Sequence, residues 1–347
     1  MKNSFLHVVF LLLAMHSANA FETGDMLVMI DDSKLVVIHS DGVQEPITEG
    51  ARSAVFSPDR RSVVFALDRK LAVMALATHT TVEVAQLGEG AHFGQVAWAP
   101  DGNAIAYEAI VPNKSNDLFL APFPPQRGQA RNLGHWYQGF SFSPDGSRIV
   151  HAINNPFALE VLDLATAKRT LLHKADNVVW EAQFSPDGKF IAYTKTVTEP
   201  QSSNQPGKDD DEPDCANPPI DLHLYSLADG SDTAVTFHNL KTPDTVYHFS
   251  WSPDSRRIVL ELGTNDCGYP SGDAAVFVTS VDQKYQVCIS TASPAIEPRF
   301  SPDGTAVVFV DYSRPPHPML RYEFRSRTLK RLDRPGGHEE YRLMDWK

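Results

Sequence analysis

Cysteine, basic stripes and helical periodicity are scarce in this chain, and each shortage argues against a class of protein. Three cysteines in 347 residues are too few for a disulfide-rich scaffold. Lysine and arginine number 31 against 43 acidic residues, which gives a net charge of −12 without a cationic cluster. We therefore expect no binding to nucleic acid. No segment repeats its apolar residues at helical spacing over several turns, which argues against an α-helical fold.

Long apolar runs are also missing, except for one at the N-terminus from Phe5 to Met15. This run is shorter than the roughly 20 residues that span a bilayer. Lys2 precedes it, and the small-residue cleavage pattern Ala18-Asn-Ala20 follows it. We predict that residues 1–20 are a signal peptide and that the mature protein is periplasmic or secreted, with no membrane insertion. An uncleaved N-terminal anchor is the alternative.

Common signatures of catalysis are missing as well. No Gly-x-Ser-x-Gly nucleophile turn occurs, which argues against an appended hydrolase domain. The glycines between Gly88 and Gly94 do not have the spacing of a dinucleotide-binding loop, and no helical pattern follows them. We therefore predict no cofactor.

What the chain does contain is one short motif in six near-copies. Each copy reads aromatic-Ser-Pro-Asp-Gly, with at most single changes, and precedes an apolar run typical of a β-strand. The prolines of successive copies are 42, 44, 42, 67 and 49 residues apart. Strands and turns that recur about every forty residues predict an all-β protein with a β-propeller fold. The copies begin at Phe56, Trp98, Phe142, Phe184, Trp251 and Phe300.

The motif itself is best explained as a turn. Proline presets φ for a type I turn, aspartate hydrogen-bonds to the turn backbone, and glycine accepts a positive φ. The aromatic residue ends the innermost strand of a blade, and we expect its ring to pack toward the neighbouring blade. Arg60 and Ser255 replace the glycine in two copies, which predicts a variant turn at those places. The six aspartates are therefore interpreted as structural residues.

The two ends of the chain complete each other. Residues 26–38 match the second and third strands of the blade that opens at Phe56, but no first strand precedes them. Tyr341 to Trp346 matches the first strand that ends at Trp251, without the other three. We predict one domain over residues 21–347 with seven blades, closed by pairing of the N- and C-terminal strands, which removes exposed sheet edges. Six blades with loose ends is the alternative.

The motif and the strand that follows it resemble the TolB-type β-propeller repeat. Six clear copies and one split copy carry this resemblance over nearly all of the chain after residue 20, so it implies the fold. TolB also has an α/β domain before its propeller, which the stretch from Phe21 to Asp25 is too short to supply. A TolB-like binding role is therefore only an analogy.

The repeat is also similar to that of secreted propeller lyases that act on oligogalacturonides. Those enzymes hold a metal through histidines inside the channel mouth. Their ligand motif is not recognisable in this sequence. The resemblance therefore implies no catalytic residue here, and we predict no metal.

Residues just before each innermost strand should surround one mouth of the channel, because the turn motifs lie on the other face. Aromatic residues there offer stacking platforms, and His with Glu can move protons or hold a metal. The alternative is that such residues satisfy loop carbonyls and fill gaps between blades. The predicted ligand-binding rim consists of His92, His135, Trp136, Tyr137, Trp180, Glu181, Tyr247, His248, Glu297, His338 and Glu339.

The long gap between the fourth and fifth motifs contains an insertion at about residues 197–219. It is polar, rich in proline and acidic from Asp209 to Asp214, which is typical of a disordered loop. Cys215 lies in this insertion and Cys267 in the corresponding loop of the next blade, so we predict a Cys215–Cys267 disulfide. Cys288 lies in an apolar strand and is predicted to be a buried thiol. A Cys267–Cys288 disulfide is the rival pairing.

These features together predict a monomeric binding module. Its expected partner is an envelope or extracellular protein or glycan, held on the loop face by rigidly presented aromatic and acidic side chains. The alternative is a carbohydrate-active enzyme, a lyase or a hydrolase, with its site at the channel mouth. A third possibility is a structural member of an envelope complex that uses the acidic insertion as its contact.

Overall fold

A computed structural model describes residues 25–30, 34–39, 43–112, 114, 116–125, 129–136, 138–154, 156–197, 219–236, 244–266, 269–270, 274–290, 294–313, 317–332 and 341–346. The predicted signal peptide, Cys215, Cys267 and positions 198–218 of the insertion lie outside these residues. The signal peptide, the disulfide and the disorder of the insertion therefore stay predictions.

The described residues form 29 strands and no helix. The strands of the first half are β1 (Met26–Ile30), β2 (Lys34–Ile38), β3 (Gln44–Glu49), β4 (Ala51–Phe56), β5 (Ser62–Leu67), β6 (Lys70–Ala75), β7 (Thr80–Gln86), β8 (His92–Trp98), β9 (Ala104–Ile110), β10 (Asn116–Pro122), β11 (Arg131–Trp136), β12 (Gln138–Phe142), β13 (Arg148–Asn154), β14 (Phe157–Asp163) and β15 (Arg169–Lys174). Those of the second half are β16 (Val179–Phe184), β17 (Phe190–Thr196), β18 (Ile220–Ser226), β19 (Asp232–Ala234), β20 (Asp244–Trp251), β21 (Arg257–Asp266), β22 (Tyr269–Pro270), β23 (Ala275–Ser280), β24 (Gln286–Cys288), β25 (Ala295–Phe300), β26 (Ala306–Asp311), β27 (Met319–Glu323), β28 (Thr328–Arg331) and β29 (Tyr341–Trp346).

The strands form seven antiparallel sheets, each of which is one blade. In chain order the blades are β29-β1-β2-β3, β4 to β7, β8 to β11, β12 to β15, β16 to β19, β20-β21-β23-β24 and β25 to β28, and β22 pairs only with β21. Seven apolar clusters fill the spaces between neighbouring blades, one of them between blade 7 and blade 1. The prediction of an all-β, seven-bladed propeller is confirmed.

Blade 1 is built from both ends of the chain. The innermost strand β29 pairs antiparallel with β1, so that Trp346 lies opposite Met26 and Tyr341 opposite Ile30. The backbone N–H of Phe56, in blade 2, donates to Asp345 Oδ2 at 3.0 Å, which ties the closing strand to the next blade. The predicted closure is therefore confirmed, and the six-bladed alternative is wrong.

All six turn motifs are closed by the same kind of hydrogen bond. The motif aspartate accepts the backbone N–H two residues later at 2.9–3.1 Å in each copy. In five copies the motif serine donates to that aspartate at 2.6–2.7 Å and accepts the N–H five residues later at 2.9–3.0 Å. These contacts confirm that the aspartates have a structural role.

The prediction of a variant turn at Arg60 and Ser255 is wrong. Their φ angles are 60° and 59°, close to the 70° of Gly146 at the same place in another copy. A left-handed backbone costs a non-glycine residue about 1 kcal/mol. Ser255 offsets part of this cost, since its Oγ accepts the Asp187 N–H at 2.9 Å and joins blades 5 and 6. Both copies form the same turn as the glycine-containing copies, because the hydrogen bonds that close it come from the motif serine and aspartate and not from the glycine.

The third-blade motif is the one copy without the serine, which makes a stabilising substitution possible. We expect Ala99→Ser to raise the free energy of unfolding by about 1 kcal/mol, because the new hydroxyl can donate to Asp101 and accept the Ala104 N–H. The matched reverse change, Ser143→Ala, should lower stability by about 1–3 kcal/mol, since Asp145 loses one of its donors and the Arg148 N–H loses its side-chain acceptor. Urea unfolding of both variants checks this. A loss of stability in Ala99→Ser would show that the site has no room for the hydroxyl.

Candidate functional site

The channel mouth is shaped by irregular pairing of the innermost strands. Each of the seven innermost strands has a register shift against its neighbour. A bulge leaves backbone groups unpaired and redirects side chains. The six residues that precede a motif aromatic by three positions lie at or next to these bulges. They are Ser53, Gln95, Gly139, Glu181, His248 and Glu297.

Two buried glutamates hold the bulges in place. Glu108 on β9 and Glu261 on β21 occupy the same position, eight residues after the motif proline. Glu108 Oε2 accepts the Gln95 N–H at 3.0 Å, and Glu261 Oε2 accepts the N–H of Glu297, in the next blade, at 2.9 Å. Burial raises the pKa of Glu108, and it raises the pKa of Glu261 to about 7. Neither glutamate belongs to the rim predicted from the sequence.

A pocket of about 310 Å³ opens beside Glu261, where the innermost strands of blades 6, 7 and 1 meet. We call it the mouth pocket. It combines two guanidinium groups, two carboxyl groups and one imidazole with apolar walls. Its lining consists of Tyr247, His248, Glu261, Ile296, Glu297, Arg299, Arg342 and Met344.

Glu181 and His248 lie close together on neighbouring innermost strands, with Glu181 Oε2 3.8 Å from His248 Nδ1. Burial raises the pKa of Glu181 to about 7, although a hydrogen bond from Gln183 and the charge of Arg299 oppose it. Burial and the charges of Arg299 and Arg342 lower the pKa of His248 to about 3. At neutral pH His248 is therefore uncharged, while Glu181 is close to half-ionised. Such a pair can accept or release a proton.

The two arginines of the mouth pocket differ in their contacts. Arg342 Nε donates to Glu297 Oε1 at 3.0 Å, and its side chain is 58% exposed. Arg299 is half-buried, and its Nε is enclosed without a hydrogen-bond acceptor among the described residues. Burying this nitrogen without an acceptor costs free energy. Because it is enclosed, an acceptor on a ligand would have to meet Arg299 where its side chain lines the mouth pocket.

Backbone strain occurs at the same place. Glu297 has a φ of 54°, whereas its counterpart in blade 4 is Gly139, with a φ of 63°. A left-handed glutamate costs about 1 kcal/mol more than a glycine here. The fold accepts this cost at the residue that contacts Arg342, which is a common sign of a functional position.

The structure brings together only part of the predicted rim. Tyr247, His248 and Glu297 line the mouth pocket, and Glu181 contacts His248. Trp180 lies beside them, 37% exposed, and its Nε1 donates to Thr196 Oγ1 at 3.1 Å. His92 begins the innermost strand of blade 3 and is half-buried. The prediction that rim residues precede the innermost strands is wrong for Trp180, Glu181, Tyr247, His248 and Glu297, which lie inside β16, β20 and β25. Among the described residues, sequence reasoning missed Glu261, Arg299 and Arg342, which lie within strands as well.

Other predicted residues lie elsewhere. His135 is on β11, the outermost strand of blade 3, where its Nδ1 is 2.8 Å from Asp117 Oδ1. Trp136 is the last residue of the same strand, where it pairs with Asn116 on β10. Tyr137, His338 and Glu339 lie outside the described residues. The prediction that Cys288 is buried is wrong: it is exposed, because β24 is the outermost strand of blade 6.

Solved structures of other proteins have the same fold. TolB from Acinetobacter baumannii aligns with a TM-score of 0.52 at 16% identity, over 90% of this chain and 78% of TolB. An oligogalacturonate lyase in complex with manganese aligns with a TM-score of 0.62 at 12% identity, over 91% of this chain and 86% of the lyase. Hydrazine synthase from Kuenenia stuttgartiensis aligns with a TM-score of 0.57 at 15% identity, over 79% and 77%. This chain therefore shares its fold with TolB among other proteins. Identities this low show the fold alone.

Comparisons by sequence add no family. No protein-family model and no curated protein sequence matches this chain. The part of the chain that the structure describes contains no group of three or more His, Cys, Asp or Glu side chains placed to hold a metal ion. Within the same residues no helix is long and apolar enough to cross a membrane.

Proposed function

We propose that this protein is an exported binding module that holds a protein or glycan of the cell envelope or extracellular space at its mouth pocket. The leader-like N-terminus supports export. The closed ring of seven blades supports rigid presentation of the mouth, since a preformed site avoids the entropy of ordering on binding.

The observation that carries this proposal is the presence of two guanidinium groups, those of Arg299 and Arg342, in the wall of one pocket. Arg342 is exposed, and Arg299 is half-buried. An arginine with a structural role elsewhere in the ring has different surroundings: Arg257 donates to Gly304 O at 2.7 Å and lies over the ring of Phe300. Two cationic side chains that line an open pocket favour a ligand-binding role.

The test compares capture by the mature protein and two variants. We expect wild-type protein to retain a partner from extracts of its own envelope, and Arg299→Ala to retain at least about tenfold less of it, which corresponds to the loss of one charged hydrogen bond. Arg325→Ala is the matched control, because Arg325 is exposed in the turn after β27, on the opposite face. Equal retention by all three proteins would rule out binding at the mouth pocket.

A second candidate function is a carbohydrate-active enzyme, and the Glu181–His248 pair is the observation that favours it. A carboxyl group with a pKa of about 7 beside a neutral imidazole suits general acid–base chemistry. Turnover of an acidic polysaccharide that disappears in Glu181→Gln, with the fold intact, would support the enzyme over the binding module.

A further inference from the structure

The mouth pocket combines positive charge with apolar walls, and this combination narrows the class of ligand. We infer that it binds the free C-terminus of a partner protein, with Arg299 and Arg342 holding the terminal carboxylate and Ile296 and Met344 contacting the last side chain. This inference rests on the proposed binding function. It goes beyond that function by naming the part of the partner that is recognised.

The two arginines supply the recognition of a carboxylate. A guanidinium group presents its N–H donors in a fork that matches two carboxylate oxygens. Arg342 uses its Nε on Glu297, which leaves its two outer nitrogens for a ligand. Arg299 lines the same pocket, and since its Nε is enclosed, its two outer nitrogens would meet the carboxylate. His248 is uncharged at neutral pH, so it adds no positive charge of its own.

The apolar side of the pocket favours the C-terminal residue of a peptide over a uronic acid as the ligand. Ile296, Met344 and Tyr247 are each partly exposed in its wall. A C-terminal residue carries a carboxylate and a side chain on one carbon, so an apolar last residue can satisfy both sides of the pocket. A uronic acid carries hydroxyl groups around its ring, and these would leave the apolar wall unmatched. Capture of terminal carboxylates is an established mode of peptide recognition.

The size of the pocket agrees with one terminal residue. Its volume of about 310 Å³ is at the lower end of the roughly 300–1,000 Å³ typical of ligand pockets. A longer segment would have to continue across the mouth. The last residue should therefore provide most of the specificity.

The charge balance of the pocket depends on two carboxyl groups. The carboxyl, guanidinium and imidazole groups of its wall are those of Arg299, Arg342, Glu261, Glu297 and His248, and Glu181 Oε2 lies 3.8 Å from His248 Nδ1. At pH 8 Glu181 and Glu261 are mostly ionised, and at pH 6 they are mostly protonated, since the pKa of each is about 7. Protonation removes two negative charges at or beside the pocket, so a carboxylate ligand should bind more tightly at the lower pH.

The experiment uses short peptides and isothermal titration of the mature protein. N-acetyl-Ala-Ala-Leu with a free carboxylate should bind, and its C-terminal amide should bind at least about tenfold more weakly. The free acid should also bind about fivefold or more tightly at pH 6 than at pH 8. Arg299→Ala should lose this binding, Arg299→Lys should keep part of it, and Arg325→Ala should match the wild type. Thermal melts of each variant show whether it has folded.

Three outcomes would overturn the inference. Equal affinities for the free acid and the amide, measured on wild-type protein, would show that the carboxylate is not recognised. Tighter binding of glucuronate than of any peptide would show that the carboxylate comes from a glycan. Failure of all these probes, while Arg299 is still needed to capture a partner from extracts, would refute the C-terminal ligand and leave the proposed binding function in place.

Discussion

Replacement of Trp346 by alanine is expected to lower the free energy of unfolding by about 3–5 kcal/mol, the usual cost of emptying a large buried aromatic site. Trp346 is only 5% exposed and belongs to the apolar cluster between blades 7 and 1. The Arg321 guanidinium lies 5.2 Å from the centre of its ring. The same residue pairs with Met26, so the substitution weakens the strand pair that closes the ring. Urea unfolding followed by tryptophan fluorescence and by circular dichroism measures the loss.

Trp180 provides a matched control for this prediction. It is the same residue type on another innermost strand, but it is 37% exposed and lies outside the apolar clusters. Trp180→Ala removes one side-chain hydrogen bond to Thr196 and should cost about 1 kcal/mol. If Trp346→Ala lowered the free energy of unfolding by no more than Trp180→Ala, blade 1 would unfold separately from the rest of the ring. Closure of the ring would then not contribute to its cooperative stability.

A second large effect is expected from Glu261→Gln, and it should depend on pH. Glu261 is 4% exposed, and burial raises its pKa from 4.5 to about 7. Below pH 4.5 the group is protonated in both the folded and the unfolded chain, so the variant should match the wild type. Between these two pKa values the folded chain keeps a proton that the unfolded chain has released, so wild-type stability falls as pH rises.

Glutamine avoids this loss because it stays uncharged, and its side-chain oxygen can still accept the Glu297 N–H. At pH 8 the variant should be more stable than the wild type by up to about 3 kcal/mol. Urea unfolding at pH 4 and pH 8 measures the difference. Glu89→Gln, at an exposed position, serves as the control and should change neither value. A variant that is less stable at pH 8 would mean that ionised Glu261 is stabilised by the bulge.

The fold could be predicted from the sequence because a repeat states the same structural information several times. Each copy of the motif contains the aromatic residue, the proline and the aspartate that its turn requires, and the match between residues 26–38 and the strands after Phe56 revealed the split blade. The error at Arg60 and Ser255 came from treating glycine as necessary for the turn. Its hydrogen bonds in fact tolerate other residues at a cost of about 1 kcal/mol.

The candidate site was harder to predict because its residues come from different positions in different blades. Glu181, Tyr247, His248 and Glu297 do meet, although they lie inside the innermost strands and not before them. His135 lies elsewhere, because β11 extends to the residue after it. Arg299 and Arg342 were not predicted, because within a strand the sequence alone does not distinguish side chains that face the channel from those packed between blades.

The sequence does contain one signal for the site, which is a glutamate at a repeat position that is uncharged in other copies. Position eight after the motif proline is Ala66, Ala152, Thr194 or Val310 in other copies, but it is Glu108 and Glu261 in blades 3 and 6. A carboxyl group in the middle of an apolar strand needs a polar partner. Alignment of the repeats with one another would have directed attention to the bulges that these two glutamates hold.

The antiparallel pairing of β1 with β29 also places both ends of the described ring on the face opposite the mouth pocket. Innermost strands run from the mouth toward the turn motifs, so β29 ends at Trp346 on the face opposite the mouth pocket, and β1 begins beside it at Met26. Both ends of the described ring thus emerge on the same side. A bead, a fluorescent label or a bilayer tethered at either end would sit behind the ring and leave the mouth pocket directed into solution.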